Sequence, residues 1–112
     1  MKITEARKLL KKWQAIMGLG PWKITVEWGF IEGAHGNVEF DCMHRLARIC
    51  VNKPSTLTQP ITVEYVIIHE LTHLVLHELE LVAKAKPDQK ELVLERVVNQ
   101  LTSAFLSKNT HV

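Results

Sequence analysis

An apolar helical segment in the middle of the chain carries two histidines and a glutamate. Its apolar residues recur at steps of three and four and form one arc of a helical wheel: Ile67, Ile68, Leu71, Leu74 and Val75. His69 and His73 project from the opposite side of the wheel, with Glu70 one step round the helix. Burying two imidazoles and a carboxylate costs free energy unless something satisfies them. The chain must therefore fold so that the apolar arc meets a core while the polar side chains reach a site of their own.

Before this segment, the periodicity of apolar residues predicts one helix and three strands. The helix is indicated by five apolar residues at helical spacing: Ile3, Ala6, Leu10, Trp13 and Met17. Gly18 and the glycine–proline pair after it end the helix. Alternation over residues 22–28 predicts the first strand, and the second and third are expected around residues 38–40 and 45–52. The third strand has one apolar face: Ala47, Ile49 and Val51.

Two helices are predicted in the second half of the chain. Thr62 is the expected N-cap of the central helix, which should end near Glu78 because that residue would fall inside the apolar arc. Asp88 and the glutamate three positions later form a capping box that starts the last helix. Its apolar stripe faces the core: Leu94, Val98, Leu101 and Phe105. An adjacent polar face repeats at steps of four: Glu91, Glu95 and Asn99. This order of elements predicts an α+β fold.

Length and composition predict a single domain over residues 1–112. Hydrophobic residues make up 46% and charged residues 23% of the chain, which is an ordinary globular balance. The net charge is +2. The densest basic run alternates with apolar residues, as on the solvated face of a helix: Lys8, Lys11 and Lys12. We therefore expect no nucleic-acid partner.

Hydropathy and cysteine content favour a cytoplasmic protein. Met1 and Lys2 lead directly into a charged helical pattern, so we expect no signal peptide. No apolar stretch reaches the length needed to span a membrane, and we expect no membrane partner. Cys42 and Cys50 do not form a C-x-x-C pair, and both are expected to be free thiols in a reducing compartment.

Residues 69–73 read His-Glu-Leu-Thr-His, which fits the H-E-x-x-H pattern. Two histidines four positions apart on a helix have Cβ atoms about 6 Å apart on one face. Both imidazoles can then bind one zinc ion at about 2.0–2.1 Å. Glu70 is expected to be the general base that takes a proton from a water bound to the metal. The motif predicts one Zn²⁺ per chain, and the alternative is a helix whose polar edge carries these residues by chance.

A catalytic zinc ion normally has three protein ligands, so a third is needed beside the two histidines. His77 continues their spacing, but eight residues of helix separate it from His69 by about 12 Å along the axis. Glu95 on the predicted last helix is the better candidate, and Glu91 competes with it. Asn99 lies one turn after Glu95 and is expected to orient a metal-bound histidine through its other ring nitrogen.

The motif at residues 69–73, followed by Glu95-x-x-x-Asn99 on a later helix, resembles the gluzincin class of zinc peptidases, which includes thermolysin. In that class the third ligand is a glutamate on a "glutamate helix", with an acidic or amide residue four positions later. Glu95 follows His73 by 22 positions, a spacing that suits the class. The likeness is greatest to the minigluzincins and to ImmA/IrrE-type peptidases.

The resemblance implies a minimal zincin-like fold and peptidase activity. The fold comprises an N-terminal backing helix, a small three-stranded sheet, the H-E-x-x-H helix and a C-terminal glutamate helix. The implied function is zinc-dependent hydrolysis of peptide bonds in proteins or peptides, with His69, His73 and Glu95 as metal ligands. The resemblance also implies that the strand at residues 45–52 forms the upper rim of the cleft and pairs with extended substrate.

The sequence does not assign every residue that could take part in the site. Tyr65 precedes the motif and is expected to point elsewhere, so the residue that stabilises the oxyanion is not assigned. Three histidines lie outside any ligand spacing, although the second could line the cleft: His35, His44 and His111. Residues 107–112 form a disordered tail or, as in latent minigluzincins, fold back onto the zinc. Two alternative functions remain: a latent or non-catalytic zinc-binding module, and a small helical interaction protein without metal.

Overall fold

A computed structural model describes residues 1–57 and 61–83, with residues 78–83 described by their backbone alone. The main elements follow the order helix, three strands, helix: α1 Ile3–Ile16, β1 Lys23–Gly29, β2 Gly36–Asp41, β3 Leu46–Asn52 and α2 Val63–Ala83. Residues 91, 95, 98, 99, 101–103 and 106 are also described and are helical; we call them the C-terminal helical positions. The predicted α+β class with a small three-stranded sheet is confirmed.

The N-terminal helix α1 presents a narrow apolar stripe to the core. Ala6, Leu10 and Trp13 are buried, at the predicted spacing of three and four residues. The helix ends at Ile16, and Gly18 follows it with a φ of +72°, a left-handed conformation in which glycine carries no steric cost. The predicted helix and its glycine stop are both confirmed.

The three strands form one mixed sheet in the order β1-β3-β2, with β3 parallel to β1 and antiparallel to β2. One face of β3 is buried, as its pattern predicts: Ala47, Ile49 and Val51. Because β3 hydrogen-bonds to a strand on each side, it has no free edge for an extended substrate. The expectation that the strand at residues 45–52 pairs with substrate is therefore wrong. This strand is the last of the three along the chain, yet it lies in the middle of the sheet. The sheet's edges are β1 and β2.

Helix α2 is largely buried over residues 63–77. Thr62 caps it as predicted, because the Thr62 Oγ1 accepts a hydrogen bond from the Tyr65 backbone N–H at 3.1 Å. The predicted end near Glu78 is wrong, since the helix continues to Ala83. Residues 78–83 contain neither glycine nor proline and consist mainly of good helix formers, so one acidic residue does not stop the backbone hydrogen-bond pattern.

A part-buried contact holds the first turn of α2 against α1. The Trp13 Nε1–H donates a hydrogen bond of 2.7 Å to the Glu64 Oε2, and the Lys12 Nζ lies 3.5 Å from the same oxygen. Trp13 is fully buried, so its indole is held both by packing and by a charged acceptor. This contact sets the position of the helix that carries the histidines.

The C-terminal helical positions agree with the predicted pattern in part. Val98 is fully buried and the polar face of Glu91, Glu95 and Asn99 is exposed, as predicted. Leu101 of the predicted stripe is only half-buried, and Thr102, which was not predicted, is fully buried. Three predicted features lie outside the described residues: Asp88, Leu94 and Phe105. Within the part of the chain that the structure describes, no helix is both long and apolar enough to cross a membrane.

Replacing Glu64 tests the contact between α1 and α2. We expect Glu64→Ala to lower the free energy of unfolding by about 1–3 kcal/mol, because it removes a charged acceptor from a buried indole. Glu64→Gln is the matched control. It keeps an oxygen that can accept from Trp13 and removes only the exposed charge pair with Lys12, worth about 0–1 kcal/mol. Chemical denaturation measures both, and equal losses would show that the hydrogen bond contributes nothing.

Candidate functional site

Helix α2 brings His69, Glu70 and His73 together on the side that faces away from its apolar arc. Ligand atoms of these three residues all lie within 4.8 Å of one another. The two imidazole rings meet edge to face, with centroids 4.9 Å apart and planes at 72°. The spacing of four residues produces this approach, because such residues are neighbours on a helix surface.

Glu95 completes the group from the C-terminal helical positions. Its Oε1 lies 3.2 Å from the His69 Nε2, and its Oε2 lies 3.3 Å from the His73 Nε2. One carboxylate thus spans both imidazoles, at the position predicted for the third ligand. Glu91, the competing candidate, is exposed and is not among the described residues that line the site.

Burial keeps both imidazoles in the form that binds metal ions. It lowers the pKa of His69, and the neighbouring charge of His73 lowers it further against the opposing effect of Glu95. Burial lowers the pKa of His73 in the same way, again opposed by Glu95. Each ring is therefore held towards its neutral form, which has a lone pair free for a ligand bond.

Glu70 is the most buried ionisable residue of the group, with 6% of its surface exposed. Burial, with a smaller contribution from the charge of Glu95, raises the pKa of Glu70 to about 7. A carboxyl group with that pKa can both accept and release a proton at neutral pH. Glu70 therefore has the property that a general base requires.

The donor set and its spacing fit a zinc ion. Two imidazole nitrogens and a carboxylate are ligands that zinc takes in catalytic sites. Four donors arranged tetrahedrally at about 2.0–2.1 Å from a zinc ion lie about 3.3 Å from one another. Each oxygen of Glu95 lies at about that separation from one imidazole nitrogen, Oε1 at 3.2 Å from His69 and Oε2 at 3.3 Å from His73.

The predicted orienting role of Asn99 is not found for His69. Asn99 lines the same cavity as the histidines, but the Nδ1 of His69 is buried and has no hydrogen-bond partner. Ligand histidines usually donate from their second ring nitrogen, so this atom departs from the common pattern. Asn99 is exposed, and burial therefore does not fix its amide against the ring.

The group opens into a cavity of about 440 Å³ between α2 and the turn that joins β1 to β2. Tyr65 lines this cavity, and its ring stacks on His69 with centroids 6.1 Å apart and planes at 22°. The expectation that Tyr65 points elsewhere is wrong. Tyr65 precedes His69 by four residues, so it leaves the same face of the helix, and that spacing is visible in the sequence.

The other histidines are placed individually. His35, which matched no ligand spacing, lies on the exposed turn between β1 and β2 and lines the cavity. His44 lies in the turn between β2 and β3, where its Nδ1 is 2.7 Å from an Asp41 oxygen, and it is not among the described lining residues. The ring of His77 packs against Phe40, with centroids 4.6 Å apart. His111 lies outside the described residues.

Asn52, at the end of β3, holds the cavity wall that carries His35. Its Oδ1 accepts a hydrogen bond from the Ile31 N–H at 2.8 Å, and its Nδ2 donates to the Ala34 carbonyl at 2.7 Å. The Asn52 backbone N–H donates to the His35 carbonyl at 3.0 Å. Asn52 is buried, so these bonds are shielded from water. No sequence motif indicates the role of Asn52, because that role depends on the turn between β1 and β2 folding back onto β3.

Comparison with known protein families and with curated protein sequences finds no match for this chain. The resemblance to gluzincins therefore stays a hypothesis that rests on the residues of the site.

Removing the Asn52 side chain tests its hold on the turn. We expect Asn52→Ala to lower the free energy of unfolding by about 1–3 kcal/mol, because it leaves buried backbone groups without their side-chain partner. Backbone amides of residues 31–36 should exchange hydrogen faster. Asn37→Ala, on an exposed position of β2, is the control and should change neither quantity. Unchanged hydrogen exchange at residues 31–36 in Asn52→Ala would show that Asn52 does not hold the turn.

Proposed function

We propose that this protein is a zinc-dependent peptidase of gluzincin type, in which His69, His73 and Glu95 hold the metal and Glu70 is the general base. The observation that carries the proposal is the convergence of two imidazoles on one carboxylate, beside a second, buried carboxyl group whose pKa is raised to about 7. If the polar residues of the helix were incidental, nothing would favour the placement of both imidazoles and both carboxyl groups at one cavity. This arrangement disfavours the reading as an interaction protein without metal.

Each protein group has a distinct task in the proposed reaction. A bound zinc ion supplies Lewis acidity, which polarises the substrate carbonyl and acidifies the attacking water. A carboxylate oxygen of Glu70 accepts the proton that the water loses as its oxygen bonds to the carbonyl carbon. The same oxygen then delivers that proton to the amide nitrogen as the C–N bond breaks. Burial of Glu70 gives it the pKa that suits both transfers.

The free edge of β2 supports an extended peptide as the substrate. One side of β2 pairs with β3, and no described strand pairs with the other side. Gly36, at the start of β2, lines the cavity, so this edge leads directly to the site. A Cβ at Gly36 would meet the Cys50 carbonyl oxygen and a Val66 methyl carbon at 2.6 Å, so glycine permits the close approach of β2 to α2. An extended chain can add to such an edge through backbone hydrogen bonds.

Two related hypotheses stay predictions. A non-catalytic zinc-binding module would share the ligands and differ only in turnover. The latency hypothesis concerns residues 107–112, which lie outside the described residues. The cytoplasmic location expected from the sequence also stays a prediction.

Metal binding tests the ligand set. We expect about one zinc ion per chain, lost in His69→Ala and in His73→Ala. Glu95→Gln should weaken zinc affinity about 10-fold or more, because a neutral amide is a poorer zinc ligand than a carboxylate. The controls are Glu91→Gln and His77→Ala, which should leave zinc affinity unchanged. Competition with a chelating dye measures the affinities, and loss of zinc in either control without loss in Glu95→Gln would refute the assignment.

Turnover tests the role of Glu70. We expect Glu70→Gln to keep its zinc and its fold while peptide cleavage falls at least about 100-fold, because proton transfer is removed and the ligands remain. Glu5→Gln, on the exposed side of α1, is the matched control and should cleave normally. A library of fluorogenic peptides gives the rates, and metal analysis confirms loading. Normal cleavage by Glu70→Gln would show that another group is the base.

A further inference from the structure

The edge of the sheet that β1 forms is open on its outer side. One side of β1 pairs with β3, and no strand among the described residues pairs with the other side. None of the described residues that line the cavity belongs to β1, so this edge takes no part in the proposed site. An open edge strand presents backbone N–H and C=O groups that can pair with another extended chain. The side chains of β1 decide which chain this edge can accept.

The backbone of β1 alternates between β3 and the open edge. The Lys23 N–H donates to the Arg45 carbonyl at 2.9 Å, so the backbone groups of Lys23 face β3. Successive residues of a strand direct their N–H and C=O groups to opposite sides. Those of Thr25 therefore also face β3, whereas those of Ile24 and Val26 face the open edge.

The exposed face of β1 carries opposite charges on the two sides of its centre. Lys23, Thr25 and Glu27 share this face, and all three are exposed. Lys23 takes part in none of the ion pairs found among the described residues. Glu27 lies 3.6 Å from the Arg48 Nε, but Arg48 makes its shorter contact, 2.6 Å, with Glu39. The strand therefore presents a positive and a negative side chain placed symmetrically about Thr25.

A second copy of β1, placed antiparallel across the open edge, matches both patterns at one register. A two-fold axis at Thr25 sets Ile24 opposite the partner's Val26, so that backbone groups facing the edge bond to one another. The same axis sets Lys23 opposite the partner's Glu27 on the exposed face, with Cβ atoms about 5 Å apart.

Other registers fail on one pattern or the other. An axis at Ile24 or at Val26 keeps the backbone bonds but sets no lysine opposite a glutamate. An axis between two neighbouring residues sets backbone groups that face the edge opposite groups that face β3.

The inner face of β1 gains cover in the same arrangement. Ile24 and Trp28 are only partly buried, although both pack against the core. In the antiparallel pair, Ile24 of each copy adjoins the partner's Val26, which continues the apolar layer across the axis. One partner therefore satisfies the backbone groups, the charges and the apolar edge of the core.

We propose that β1 is a self-complementary interface through which two copies of this chain join their sheets about a two-fold axis at Thr25. An ion pair between Lys23 and the partner's Glu27 lies on each side of the axis. The interface uses the edge opposite β2, so the edge proposed for substrate stays open in both copies. It requires neither metal nor cleavage and is independent of the proposed function. Because one short strand from each copy buries less area than a permanent interface, the dimer is reversible.

Charge reversal tests the register. Sedimentation equilibrium over micromolar to millimolar concentrations should show reversible dimerisation of the unmutated chain. Lys23→Glu and Glu27→Lys should each weaken dimerisation at least about 10-fold, because each sets like charges opposite one another. The double variant Lys23→Glu/Glu27→Lys exchanges the two charges and should restore dimerisation. Lys8→Glu, on the exposed side of α1, is the matched control, since it changes the net charge as Lys23→Glu does.

Hydrogen exchange tests the pairing in the unmutated protein. The amides of Ile24 and Val26 face the open edge, so their exchange should slow at least about 10-fold between dilute and concentrated protein. The amides of Thr25 and Glu27 face β3 in the monomer as well. They are the internal control, and their exchange should slow much less.

Other results overturn the assignment. A chain that stays monomeric at millimolar concentration would leave Lys23 as a charge that protects an unpaired edge. Dimerisation that neither single reversal weakens, or that the double variant does not recover, would place the interface elsewhere. Exchange at Ile24 and Val26 that does not slow on dimerisation would also exclude the β1 edge.

Discussion

The burial of polar side chains on α2 is the constraint on which the rest of the structure depends. Apolar residues cover most of this helix, yet His69, Glu70 and His73 lie within it at low exposure. Desolvation acts on all three in the same direction, towards the uncharged form. The pKa values of the two imidazoles are therefore lowered, and the pKa of Glu70 is raised to about 7. Burial, which costs free energy in folding, would also prepare these groups for the proposed cation binding and proton transfer.

The remaining elements position the two walls of the cavity. On one side, the hydrogen bond from Trp13 to Glu64 fixes the first turn of α2 against α1. On the other side, Asn52 ties the turn between β1 and β2 to the end of β3. Gly36 lets β2 lie close to α2, because a side chain there would overlap the Val66 side chain of α2. The small sheet and the backing helix thus position two parts of the cavity lining, and the C-terminal helical positions supply Glu95 and Asn99.

The sequence predicted the features that depend on local periodicity. The α1 stripe, the buried face of β3 and the Thr62 cap follow from residues a few positions apart, and all are confirmed. The errors have different physical origins. The central place of β3 and the contacts of Asn52 depend on tertiary pairing, which spacing along the chain does not specify. The position of Tyr65 could have been predicted from the sequence, since a residue four positions before His69 on a helix shares its helix face.

Glu95 differs from the other groups of the site in how its position is determined. Its side chain is 53% exposed, whereas Val98 and Thr102 nearby on the same helix are fully buried. Packing of those two residues brings the helix to the core, but it does not by itself immobilise the carboxylate of Glu95. A cation bound by Glu95 and both histidines would connect the C-terminal helical positions to α2. Because the unfolded chain has no such preformed site, binding and packing would stabilise each other. A third ligand at Glu95 would therefore couple metal binding to the packing of the C-terminal helical positions against α2.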